Sequence, residues 1–350
     1  MSLAQRIKEM PPAYFSMVMA TGIIGIGFSL HGWPLLAKVF LFFNLAIFCT
    51  LIVANLYRLV RFYADIKADF HSYERGPGFL TIIAACCIVG NQFVLAGFNS
   101  VIAIAFLVFA GIVWLFLAYG LFFSLTVAHH KKSLKDGING GWLLFVVTLQ
   151  AISGLTTLIA GGDENLIFIS LCFFSLGALF YLYIMSLIIY RMSFFELHAA
   201  ELGAPYWINM GATAITVLAG CMLMHVAGTL PIIAAIIPFL KGIVVLFWAA
   251  GTWWIPLLLL LGIWKHVIKK VKVPITAKGY DPSFWSFVFP IGMYSVSTFR
   301  LNEVLHISFL PVVSTCFCLF AVIAWCVVMI GFWAKLFTRP NSDRAKTNDN

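Results

Sequence analysis

Charge is scarce in this chain of 350 residues. Only 10% are Asp, Glu, Lys or Arg, where a soluble domain carries about 25%. Acids are scarcer than bases, 13 Asp and Glu against 22 Lys and Arg. None of the acids falls near the middle of a long apolar run. Proton-driven carriers commonly place carboxylates or His at membrane depth as relays, so their absence argues against such a relay. Asp163, Glu164, Glu196, His198 and Glu201 all lie between runs and read as solvated loop residues. No phosphate-binding Walker loop, dinucleotide fingerprint or HExxH metalloprotease motif is present. No pair of His on facing helices is evident for haem, and Ser, Thr and His are nowhere arranged as nucleophile and base. Catalysis and cofactor binding therefore have little support. The eight cysteines all sit inside apolar runs, where they act as small apolar residues rather than as a disulfide or zinc framework.

Hydrophobic residues dominate instead, at 62% of the chain with a mean hydropathy of +1.01. About 20 apolar residues cross a bilayer as a helix. The pattern predicts ten spans, at 14–31, 35–57, 79–98, 101–127, 141–160, 165–190, 207–228, 241–264, 284–300 and 307–334. The stretch from Ile232 to Phe239 contains Pro238 and reads as a lead-in to the eighth helix or a short re-entrant piece. Residues 1–12 form a leading segment, 13–336 a single ten-helix domain and 337–350 a tail. No cleavable signal is evident ahead of the first span.

Positive charge sets the orientation. Every Lys and Arg except Lys38, Lys241 and Arg300 falls on one side of a ten-span chain. Cytoplasmic loops collect such residues, so both termini are expected in the cytoplasm, with the domain in the cell (plasma or inner) membrane. The net charge of +9 is then a topology signal. The cluster from Lys265 to Lys278 suits anionic lipid, and the short loops give nucleic acid no docking surface.

Odd and even spans differ. The odd spans begin near 14, 79, 141, 207 and 284, roughly 62–77 residues apart, the signature of an internal repeat. They also carry the small and polar residues: Thr21, Gly22, Asn91, Gln92, Gln150, Ser153, Asn209, Thr213, Ser286 and Ser295. Polar groups turn away from lipid, which predicts an all-α membrane protein with an inner ring of odd helices around a pore and an outer ring of even ones. Two roles remain open for these residues, lining the path or gluing helices together. Pro290 should kink or break the ninth helix. Arg300, just past that helix, either draws anions to the outer mouth or snorkels to the interface. A lining of hydroxyls and amides without an acid ring suits an anion better than a cation.

Three segments carry a resemblance. Pro11-Pro12-Ala13-Tyr14-Phe15-Ser16-Met17-Val18-Met19-Ala20-Thr21-Gly22, Pro205-Tyr206-Trp207-Ile208-Asn209-Met210-Gly211-Ala212 and Asp281-Pro282-Ser283-Phe284-Trp285-Ser286-Phe287-Val288-Phe289-Pro290 resemble, in order, the first, seventh and ninth helices of the tellurite-resistance/C4-dicarboxylate transporter family. That family includes the slow anion channels of plant guard cells and a yeast malate permease. The resemblance implies five helical hairpins, a pore through the inner five helices and a homotrimer of separately conducting subunits. It also implies a phenylalanine plugging the pore, which falls on Phe289 here, or on Phe287 if the alignment slips. The expected solutes are small anions such as chloride, nitrate or malate, with no cofactor and no metal. A C4-dicarboxylate secondary transporter is the main alternative, and a membrane enzyme or sensor the remote one.

Overall fold

The computed structural model describes residues 2–226, 231–272 and 280–337. Lys278 and the basic residues of the tail lie outside the described residues. Ten long helices make up the body: α1 (Ser16–Leu30), α2 (Pro34–Arg61), α3 (Thr81–Leu95), α4 (Ser100–Thr126), α5 (Leu144–Ile159), α6 (Glu164–Phe194), α7 (Ile208–His225), α8 (Pro231–Ile263), α9 (Trp285–Leu305) and α10 (Leu310–Phe337). The Ile232–Phe239 stretch is the start of α8, which runs on through both Pro238 and Pro256.

Hairpins follow from local chemistry. Each odd helix starts with a short 3-10 turn: Pro12–Phe15, Gly76–Leu80, Gly140–Leu143, Ala204–Trp207 and Pro282–Phe284. Four of these carry Pro at the first or second position, where the missing N–H has no helical partner to lose. An aromatic residue follows in every one. At the other end α1 and α3 stop on Gly32 and Gly97, both at φ +80, the left-handed conformation that lets the chain reverse without a side-chain clash. Odd helices therefore all run one way and even helices return.

The two sets form two layers. Each odd helix packs on the next, α1 on α3, α3 on α5, α5 on α7, α7 on α9 and α9 back on α1, so the inner ring closes. Every even helix packs on its hairpin partner. Within the apolar stretches, 78%, 72%, 83% and 83% of residues are buried in α1, α3, α5 and α7, against 22%, 17%, 39%, 22% and 28% in α2, α4, α6, α8 and α10. Among the described residues nine helices are long and apolar enough to cross a membrane. The tenth, α9, is long enough at 21 residues but less apolar, and 14 of the 21 are buried. Its neighbours shield it from lipid, so it does not need an apolar surface.

Polar residues stitch the layers. Trp325 Nε1 of α10 donates to Thr21 of α1 at 3.0 Å, Asn44 of α2 to Gln92 of α3 at 2.8 Å and Trp248 of α8 to Thr298 of α9 at 3.0 Å. Ser170 of α6 bonds both Ser153 and Thr157 of α5, and Ser295 and Ser314 exchange hydroxyl-to-carbonyl bonds between α9 and α10.

Cations tie the base of four hairpins. Arg58 Nε at the end of α2 donates to Lys8 O (3.1 Å), Arg191 Nε in α6 to Lys135 O (2.8 Å), Lys265 Nζ beyond α8 to Leu202 O (2.6 Å) and Lys335 Nζ in α10 to Tyr280 O (2.9 Å). In each case the acceptor lies just before the odd helix of the same hairpin. Arg58 also meets Asp69 at 2.6 Å, which Arg75 holds from the other side at 2.9 Å, and Arg191 meets Glu201 at 2.8 Å. The cytoplasmic-type charge pattern is thus also a set of clamps.

Candidate functional site

The inner ring encloses a narrow cavity of about 40 Å³. Among the described residues its walls come from all five inner helices and from no outer one. They follow one stripe on each helix: Ile23, Ile26 and Leu30 on α1; Ile88, Asn91 and Leu95 on α3; Gln150, Ala151, Gly154 and Leu158 on α5; Ile215, Leu218, Ala219 and Met222 on α7; Met293, Val296 and Arg300 on α9. Steps of three and four residues keep one helix face on the axis. The cavity opens towards the C-terminal ends of these helices, the face opposite the clamps.

One turn towards the N-terminal ends, the same stripes reach Met19, Ala84, Val147, Gly211 and Phe289. All five are buried, and Phe289 is 2% exposed. The Phe289 ring lies against Gly211: a Cβ there would stand 3.3 Å from Phe289 Cε1 and 3.1 Å from Pro290 Cγ. A side chain there would press on the ring by a few tenths of an ångström. Another turn down, Ser286 continues the α9 stripe, and Ser16 continues that of α1 with a hydroxyl that has no partner. Phe287 lies off the stripe and packs edge-on against Trp207, ring centroids 4.6 Å apart. Helix α9 runs unbroken through Pro290.

Among the residues singled out from sequence, Asn91, Gln150 and Arg300 stand in the cavity wall. Thr21, Gln92, Ser153 and Ser295 direct their polar groups to the outer helices, as described above. Gly22 faces α2 and α3, where a Cβ would come within 2.7 Å of Asn44 Nδ2. Asn209 is buried, and its Oδ1 has no hydrogen-bond partner among the described residues. Thr213 bonds backbone carbonyls of its own helix and sits against Gly251 of α8. The remaining wall is Ile, Leu, Val, Met, Ala and Gly, a set that composition could not tell from lipid-facing residues. Only the stripe periodicity, aligned across the five 3-10 turns, would have marked it.

The electrostatics at the mouth are more balanced than Arg300 alone suggests. Its Nη1 bonds Glu303 Oε2 at 2.7 Å, and His225 Nε2 stands 3.7 Å from the same oxygen. Among the described residues no carboxylate lines the cavity itself. Deeper in, Gln150 is fully buried and its Nε2 donates to Phe174 O of α6 at 3.0 Å. Asn91 Nδ2 donates to Cys87 O at 2.8 Å.

Comparison with known proteins matches residues 9–333 to the family model described as Voltage-dependent anion channel. An uncharacterized transporter of Methanocaldococcus jannaschii is 26% identical over 95% of both chains. A second uncharacterized transporter of that organism is 26% identical over 85% of this chain and 86% of its own length. An uncharacterized membrane protein of Mycobacterium tuberculosis is 41% identical over a shorter stretch, 39% of this chain and 64% of the relative.

Proposed function

We propose that this chain, which belongs to the voltage-dependent anion channel family, is a passive path for small anions along the axis of its inner ring, gated by Phe289. One observation carries the reading: the cavity is walled by all five inner helices with no carboxylate among its described lining residues, and one turn below its lining residue Met293 stands buried Phe289, packed against Gly211. A ring in that place is a steric plug and a dewetting barrier. Parallel inner helices add a field, because five N-terminal dipole ends converge below Phe289 and favour negative charge there.

The rest of the proposal follows from the same arrangement. All ten long helices cross the membrane of the cell, within a single domain of residues 13–336. The clamped face and both termini are cytoplasmic by the distribution of Lys and Arg. The cavity then opens outwards, and the copies assemble as a homotrimer, as the family resemblance implies. A C4-dicarboxylate carrier is a second reading, favoured by one feature: a cavity open at one end and closed at the other is also the resting form of an alternating-access transporter.

Reversal potentials of the purified protein in a planar bilayer, under chloride, nitrate and malate gradients, test the reading. Anion-selective current should rise in Phe289→Ala, as expected when a hydrophobic constriction is removed. Unchanged conductance in folded Phe289→Ala would remove the gate. Saturable counterflow without current would favour the carrier.

A further inference from the structure

We propose that Glu303 is a built-in competitor for Arg300: an anion entering the cavity wins that cation only by displacing the Glu303 carboxylate, and a proton on His225 makes the displacement easier. This deepens the proposed function and rests on the cavity being the anion path. Arg300 is the one charged residue among the described lining of the cavity. Its Nη1 bonds Glu303 Oε2 at 2.7 Å, and among the described residues no second acceptor meets the guanidinium. Glu303 stands one turn further along α9, outside the wall. Both side chains are partly open, 23% for Arg300 and 34% for Glu303. An ion pair that exposed is weak and exchangeable, unlike the buried pair of Arg58 and Asp69 at the clamped face.

His225 is the third member of the group. Its Nδ1 lies 2.9 Å from Cys221 O, which can only accept, so Nδ1 carries the hydrogen. In the neutral ring Nε2 then turns a bare lone pair to Glu303 Oε2, 3.7 Å away. A second proton makes that nitrogen a donor and draws the carboxylate from Arg300. With neutral imidazole the charges of Arg300 and Glu303 cancel, and with imidazolium the mouth carries a net positive charge. The neighbouring elements add little. Helix α5 and residues 226–230 carry no charged side chain, and α10 carries none before Lys335. Helix α8 brings only Lys241 at this end, and α6 brings Asp163 and Glu164, all three exposed. Asp163 caps its own helix. His306 ends α9 in an exposed position, and His31 of α1 is bonded to Gly27 O and packs on Phe299.

Nitrate current through planar bilayers is the measurement, in the wild type and in the Phe289→Ala background. The half-saturating nitrate concentration should fall about two- to fivefold in Glu303→Gln, the span of a partly exposed ion pair. In Arg300→Gln the same Glu303 substitution should change nothing further. Taking the wild type from about pH 7.5 to about pH 5.5, across the imidazole range, should also lower the half-saturating concentration, and His225→Gln should remove that response. Nitrate current with an unchanged half-saturation in Glu303→Gln overturns the competition and leaves the proposed function standing. A fall of equal size without Arg300 also overturns it, because Glu303 would then act as a general field. Constant half-saturation across that pH range in the wild type overturns the part played by His225, and this needs no folded variant. No current from any anion, in Phe289→Ala as well, sinks the proposed function and this inference with it.

Discussion

Helices α9 and α10 are consecutive arms of one hairpin and face opposite demands. Helix α9 carries Ser286, Pro290, Ser295, Ser297 and Thr298, all buried. Helix α10 exposes Val312, Leu319, Phe320, Ile323, Val327 and Ile330. The more polar arm is the more hidden one, the reverse of a soluble protein. Lipid sets the rule: a surface against hydrocarbon must be apolar, while a surface against protein can hold any polar group that finds a partner. Helix α9 meets the second condition with Ser314 and Trp248 as partners. The same contrast separates the two rings throughout.

The largest way to break that relation is at the clamp joining the layers. Asp69 is buried and answers both Arg58 and Arg75. Asp69→Asn should destabilise the protein by about 3–5 kcal/mol, because Arg58 stays buried without a counter-charge. Thermal unfolding in detergent measures it, and a loss under about 1 kcal/mol would show that water reaches the clamp.

Next comes the close approach of α7 and α8. Gly251 sits against Thr213 Oγ1 with no room for a Cβ. Gly251→Ala should cost about 1–3 kcal/mol as the helices part. On an exposed stretch of an outer helix the same change should be neutral or stabilising.

A matched pair sharpens the contrast. Thr298 on α9 accepts from Trp248, whereas exposed Thr315 on α10 bonds only Pro311 O of its own helix. Thr298→Val should cost about 0.5–1.5 kcal/mol and Thr315→Val close to nothing. Equal losses would mean that the hydroxyls serve their own helices and not the layers.

The smallest effect is electrostatic and lies outside the membrane. The hydrogen bond and charge of Arg191 hold Glu201 below its ordinary value of 4.5. Its contribution is complete above pH 4.5 and fades as pH falls through the lowered value. Acid should thus loosen the segment between α6 and α7 slightly. Hydrogen exchange of residues 196–206 at acid and neutral pH would detect it, and Glu201→Gln should abolish the difference.

Much of the candidate site was legible only in outline. Pro12, Pro77, Pro205 and Pro282 each precede an odd helix by a few residues, with Tyr14, Phe79, Trp207 and Phe284 two positions on. Aligned, these turns show the repeat that helix spacing alone only suggests. Phe289, one of 34 phenylalanines, was singled out only through the resemblance. The cavity wall was not legible at all. Ile23, Ile88, Ile215 and Met293 are chemically the same as residues facing lipid, and Thr21 and Ser295 looked like lining because polarity shows that a group avoids lipid, not which protein surface it turns to.

Sequence by itself determined the membrane class, the alternation of helix types and the charge asymmetry between the two faces. Each is a consequence of transfer free energy, which is additive along the chain and can be read residue by residue. Only the tertiary structure decided that five hairpins close into a ring, that the hydroxyls bind the layers together, that Phe289 packs against Gly211 and that Gln150 turns its amide to α6. Those facts depend on which residue stands opposite which, and partners hundreds of residues apart, such as Thr21 and Trp325, become neighbours only when the ring closes.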